Sequence, residues 1–130
     1  LRIATIFDLT KAIGERNLNE AMRALDTLWE TGETYLRIMG MIARQFRQLI
    51  ITKELVGNDG PPSDARTRLG NITPRVFKEL RAQAETFSLE TLRRSLLILW
   101  RTDLRLKTSG LPRRTILEHA LMELCNSESR

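Results

Sequence analysis

Leu89-Glu-Thr-Leu-Arg-Arg-Ser-Leu-Leu-Ile-Leu-Trp100-Arg-Thr-Asp-Leu-Arg-Leu-Lys107 is the stretch that decides the fold. At about 100° per residue, Leu92, Leu96, Leu99, Trp100 and Leu104 share one broad face, the pattern of an amphipathic helix. Asp103 and Lys107 fall near the centre of that face. Four residues apart on a helix the two side chains can meet, so a carboxylate and an ammonium that are costly to bury singly neutralise each other. One reading is a pair that fixes register or a partner. The other is an ordinary salt bridge near a helix end, with Lys107 at the negative end of the dipole. Both stay open on the sequence.

Outward from this helix, the chain reads as helical almost throughout. Ile3, Ile6, Phe7 and Ile13 give a first helix stopped by Gly14. Asn17 can cap a second, with Leu18, Met22, Leu25 and Trp29 on its face, ended by Gly32. A third runs from about Thr34 to Leu55, with Leu36, Met39, Ala43, Phe46 and Ile50 flanked by Ile38, Ile42 and Leu49. So wide a stripe predicts a central helix with several neighbours. Arg37, Arg44 and Gln48 form its polar edge.

Gly57 to Asp64, Gly-Asn-Asp-Gly-Pro-Pro-Ser-Asp, cannot continue a helix. It predicts an exposed loop over 57–63 that divides a single domain, 1–130, into helical groups at 1–56 and 64–130. A short helix is expected near Asp64 to Leu69. Thr73 then caps a helix with Pro74 at its first position, carrying Val76, Phe77, Leu80 and Ala84. Ser88 caps the long one, and Pro112 opens the last, where Ile116, Leu117, Ala120, Leu121 and Leu124 face inward. Nothing alternates as a strand does, and no repeat period appears. The expected architecture is an all-α bundle of about seven helices.

At 130 residues, 42% hydrophobic and 28% charged, the chain suits one domain with one core. Apolar runs such as Leu96 to Trp100 stop well short of the roughly 20 residues that span a bilayer. No charged leader with an apolar core opens the chain, so a cytoplasmic protein is expected. It begins at Leu1 and enters a helical pattern at once, the expectation for a piece of a longer protein. The single cysteine, Cys125, makes no internal disulfide and reads as packing. With His119 the only histidine, no metal site or nucleophile motif has its usual context, and no G-x-x-x-x-G-K-[ST] loop cradles phosphates. No catalytic residue, cofactor or metal is expected. Glu15 with Glu20, and Glu118 with Glu123, are spaced like solvated helix faces rather than acid and base.

Lys and Arg number 21 against 16 Asp and Glu, a net charge of +5. Arg66, Arg68, Arg75, Lys78, Arg81, Arg93, Arg94, Arg101 and Arg105 all lie in the second half. Such a face attracts nucleic acid by counterion release, but equally serves acidic protein partners or solubility. Asp64 to Ala84, two helices around Leu-Gly-Asn-Ile, imitates a helix-turn-helix. Arg113 and Arg114 are odd, because positive charge at a helix start opposes the dipole. Partner contact or simple solvent exposure accounts for them. Arg75, Lys78, Arg81, Arg113 and Arg114 are therefore the candidate basic surface.

Three stretches carry a family resemblance. Trp100-Arg-Thr-Asp-Leu-Arg-Leu-Lys-Thr-Ser-Gly110 resembles the last long helix of the delta subunit of bacterial DNA polymerase III. Ile6-Phe-Asp-Leu-Thr-Lys-Ala-Ile-Gly-Glu-Arg-Asn-Leu18 resembles the opening of the C-terminal domain of delta, and Arg37-Ile-Met-Gly-Met-Ile-Ala-Arg-Gln-Phe-Arg47 its third helix. In order and spacing they cover nearly the whole chain, while Gly57 to Asn71 departs from a clear match. The resemblance implies a non-catalytic collar domain that packs against the gamma or tau and delta-prime subunits of the clamp loader, which places the sliding clamp on primed DNA. It implies a bacterial, nucleoid-associated cytoplasmic setting, no ATPase activity in delta itself, and contact with the sliding clamp only through a domain absent here. The positions it carries over are Phe7, Ala12, Gly14, Glu15, Arg16, Arg44, Gln45, Phe46, Phe87, Asp103 and Lys107, as fold and packing residues. The assembly candidates are Asp103, Lys107, Arg44, Phe46 and Trp100. The alternative is a free-standing basic helical domain that binds nucleic acid.

Overall fold

The computed structural model describes residues 2–57, 69–70 and 72–126. Among these it holds six helices and no strand: α1 Arg2–Gly14, α2 Leu18–Glu30, α3 Tyr35–Gly57, α4 Pro74–Ala84, α5 Leu89–Thr108 and α6 Arg113–Asn126. The all-α class is the one the periodicity predicts. The helix expected near Asp64 to Leu69 lies outside the described residues except for Leu69, which is buried. So do the loop expected over 57–63, except for Gly57, which is the last residue of α3 rather than loop, and most of the first half of the helix-turn-helix imitation.

Local chemistry sets the helix starts. Asn17 Oδ1 accepts the Glu20 amide at 3.2 Å, Thr73 Oγ1 the Val76 amide at 3.2 Å ahead of Pro74, and Ser88 Oγ the Thr91 amide at 3.0 Å. Each satisfies a donor that the first turn leaves orphaned. α1 ends at Gly14, where the sequence places its stop. Gly14 does not stop the helix by adopting a left-handed conformation; it is the last helical residue. Arg16 takes the left-handed backbone, φ 57°. The Asn17 amide reaches back to Ala12 O at 2.8 Å and the Arg16 amide to Ile13 O at 3.0 Å, a Schellman closure. Gly14 serves instead as a point of close approach, packed against Thr86 and Phe87.

α3 is central, packing against α1, α4, α5 and α6, while α6 also closes on α1, α2 and α5. Phe46 of α3 is fully buried and meets Phe87 edge to face, with ring centroids 5.6 Å apart. A buried polar knot ties three helices beside this apolar core. Gln83 Oε1 of α4 accepts from Thr10 Oγ1 of α1 at 2.7 Å and from Gln45 Nε2 of α3 at 3.0 Å. Gln83 Nε2 donates to Phe7 O at 3.1 Å. Such partners are what make burying two amides and a hydroxyl tolerable.

The face that α5 buries is not the one its largest apolar residues suggest. Thr91, Leu92, Ser95, Ile98, Leu99, Thr102 and Leu106 are buried, whereas Trp100 and Leu104 are exposed and Leu96 is only partly covered. Apolar side chains surround much of this helix, so hydrophobicity alone does not select the inward side. Small Thr and Ser let α5 lie close to its neighbours. Thr102 satisfies its hydroxyl within the helix, donating to Ile98 O at 2.8 Å.

Candidate assembly surface

Turning α5 this way leaves an apolar strip in solvent. Trp100 is 64% exposed, Leu97 50% and Leu104 49%, and across from them on α3 Leu36 is 45% exposed. Between the two helices runs a groove of about 380 Å³, lined by Leu36, Met39, Gly40, Ala43 and Arg47 of α3 and by Leu96, Leu99, Trp100 and Asp103 of α5. Contiguous exposed apolar surface of this kind, rimmed by charge, is the mark of a protein contact site. Tryptophan and arginine are also the residues that most often dominate such contacts.

Of the assembly candidates, Trp100 and Asp103 line the groove, and Lys107 joins them by its ion pair, Nζ to Oδ2 2.9 Å. The pair lies on the face of Trp100, but that face is outward: Asp103 is 39% and Lys107 59% exposed. A buried pair broken from one side costs about 3–5 kcal/mol. For this half-exposed one, Asp103→Ala should cost no more than about 1 kcal/mol in a denaturation experiment. A larger loss would mean that Asp103 supports something besides Lys107. Arg44 is exposed on α3, and Phe46 belongs to the core.

The candidate basic residues divide between two places. Arg75, Lys78 and Arg81 are exposed along α4, where Arg75 Nε lies 4.0 Å from Glu79. Arg113, which is exposed, and Arg114, which is half-buried, both meet groups of this domain. The Arg113 guanidinium lies 4.5 Å from the Tyr35 ring centre and that of Arg114 5.4 Å from the Trp29 ring centre. Arg114 also pairs with Asp26 of α2, and with Glu118 at 3.1 Å. These carboxylates and ring faces offset the unfavourable position at the helix start, and they staple α6 onto α2 and the start of α3. Nothing in the spacing of two arginines points to aromatic partners some eighty residues away.

The remaining chemistry-bearing residues stay dispersed. Glu15 and Glu20 line one open cleft of about 510 Å³ between α1 and α2, shared with Lys11 and Arg23. Glu118 is held by Arg114, and Glu123 and His119 are exposed. Burial raises the Cys125 thiol above its ordinary range, against a smaller downward pull from the Arg16 guanidinium, so it packs as a neutral group. Among the described residues, no group of three His, Cys, Asp or Glu side chains is placed to hold a metal, and no helix is long and apolar enough to cross a membrane. Sequence reasoning missed Gly40 and the buried Gln83. A glycine inside a helix was the available signal for the first; an isolated glutamine gave none for the second.

A family model described as DNA polymerase III delta subunit, C-terminal domain, matches residues 4–124. Among solved structures, the chain is similar to the Bacillus subtilis DNA clamp loader delta protein. The two are 27% identical with a TM-score of 0.85, over 96% of this chain and 37% of that one. The chain thus spans little more than a third of that protein's length. No curated protein matches it. Fold, order of helices and family match agree: the chain belongs to the family formed by the C-terminal domain of the DNA polymerase III delta subunit.

Proposed function

We propose that this chain is a single non-catalytic assembly domain, the collar piece of a delta subunit. On this reading it helps to build the clamp loader that places the sliding clamp on primed DNA. The observation that carries the reading is the outward apolar strip of α5, with Trp100 two-thirds exposed beside a groove that the domain's own core leaves unfilled. The partners are the gamma or tau and delta-prime subunits. ATP hydrolysis belongs to those partners, and contact with the sliding clamp to a part of delta outside this chain. The setting is the bacterial cytoplasm, at the nucleoid. The nucleic-acid alternative has less support. Glu79 interrupts the basic positions of α4 and Glu85 follows its end, and Arg113 and Arg114 are engaged within the domain.

The test is Trp100→Ala in the full-length delta chain, mixed with the other loader subunits of the same organism. Truncating a tryptophan anchor costs about 2 kcal/mol or more, roughly thirtyfold in Kd. Assembly should weaken by that factor while the thermal midpoint of delta holds, since the side chain is mostly in solvent. Normal assembly by a folded Trp100→Ala chain would remove the α3/α5 face from the reading.

A further inference from the structure

Among the described residues, three glycines have identifiable reasons, and a fourth, in the body of a helix, does not. Gly32 and Gly70 adopt positive φ, and Gly14 lies where a side chain would collide with Thr86 and Phe87. Gly40 has neither reason. It sits in the body of α3, exposed, and a Cβ built there would meet nothing within 4 Å. An interior helix glycine is less stable than alanine, because its backbone loses more freedom on folding. The isolated fold gains nothing visible from its presence.

Its position supplies a reason. Gly40 lines the α3 wall of the groove, between exposed Leu36 and Arg47 and opposite Trp100. A bare backbone there lets another helix approach α3 more closely than any side chain would allow. The charges around the groove indicate what that helix carries. Arg47 lines it and Arg93 stands two turns before Trp100 on the same line of α5; neither has an ion-pair partner among the described residues. Asp103 is neutralised by Lys107. The rim is therefore net positive.

We infer that a helix from one of the other clamp-loader subunits crosses α3 in backbone contact at Gly40. Its apolar side covers Leu36 and Trp100, and its flanking carboxylates meet Arg47 and Arg93. A second copy of this chain fits the surface poorly, because a two-fold contact would set the same arginine-rimmed patch against itself. The inference rests on the assembly reading and adds the crossing point and the charge of the partner.

The experiment compares Gly40→Leu, Arg47→Glu and Trp100→Ala in full-length delta. Thermal midpoints are measured alone, and association with the other loader subunits by analytical ultracentrifugation at low and high salt. Gly40→Leu should keep or raise the midpoint and weaken association at least about tenfold. Arg47→Glu should weaken it most at low salt, where charge pairing counts most. If Gly40→Leu disturbs folding, Gly40→Ala keeps the test open, since its one added carbon meets nothing in the domain; it should still weaken association at an unlowered midpoint. Loss of assembly in Trp100→Ala with normal assembly in both glycine variants overturns the crossing at Gly40 and leaves the assembly reading standing. Normal assembly in every variant overturns both. Normal assembly by Arg47→Glu at low salt overturns the acidic partner. A delta homodimer that the glycine variants abolish would show that the occupant is a second copy, and would overturn the inference.

Discussion

Gln83→Leu is expected to destabilise the domain by roughly 2–4 kcal/mol, although leucine is apolar and of similar size and the site is buried. The reason is what the amide leaves behind. Gln83 Oε1 accepts from Thr10 Oγ1 and Gln45 Nε2, while its Nε2 donates to Phe7 O. The Thr10 hydroxyl has a fallback, since Ile6 O is 3.1 Å away within its own helix. Gln45, itself buried, loses its partner on α4, whereas the Phe7 carbonyl keeps its place in the α1 ladder and the Thr10 hydroxyl at 3.2 Å. The stranded Gln45 amide costs about 1–3 kcal/mol, and the lost bonds to Thr10 and Phe7 O about 1 kcal/mol more. Replacing Gln45 by leucine as well should therefore recover part of the loss, because the stranded amide disappears with it. Urea denaturation of the two singles and the double measures the coupling. Strictly additive losses, or a Gln83→Leu chain within about 0.5 kcal/mol of the parent, would mean that the knot is ornamental.

What is legible in the sequence is mostly short-range. Asn17, Thr73 with Pro74, and Ser88 mark helix starts through bonds that span three residues, so their neighbours in the chain suffice to read them. The inward face of α6 is also readable, because Ile116, Leu117, Ala120, Leu121 and Leu124 are apolar and buried. α5 fails the same test for a physical reason. It carries leucines on two sides, and its buried side includes Thr91, Ser95 and Thr102, which hydrophobicity discounts. The broad stripe is split: Leu92 and Leu99 are buried, while Trp100 and Leu104 face outward. The Asp103–Lys107 pair does lie on the stripe that the periodicity defines, but on its outward part, beside Trp100, rather than in the core. The same limit explains Arg113 and Arg114. Their partners Tyr35 and Trp29 become neighbours only after α6 returns across α2. The candidate surface is legible as residues, but its exposure depends on the rotation of one helix.

Gly14→Ala should cost roughly 1–3 kcal/mol, the range for forcing an extra carbon into a packed site. Intrinsic propensity argues the other way, since alanine is favoured over glycine in a helix by about 1 kcal/mol. Packing decides. A Cβ on Gly14 would overlap Thr86 Oγ1 and sit 3.0 Å from Phe87 Cε2. Phe87 cannot easily yield, because its buried ring is held edge to face by Phe46. Thr86 is exposed, but turning its hydroxyl away breaks the 2.7 Å bond that it donates to Gln83 O at the end of α4. The double variant Gly14→Ala/Thr86→Ala removes the nearest collision and should be less destabilised than the two single losses predict, leaving the ring contact as the remaining strain. At Gly40 the same glycine-to-alanine change should be neutral or stabilising to the isolated fold, because nothing of the domain lies within 4 Å of the new carbon. The two substitutions are chemically identical and both fall in helices, so propensity assigns them one sign; the neighbours assign them opposite signs. Thermal midpoints that rise for both would show that α1 and the α4–α5 connection part freely at Gly14. Midpoints that fall for both would show that Gly40 is held by the domain itself, and the groove would then lose its claim to a partner's backbone.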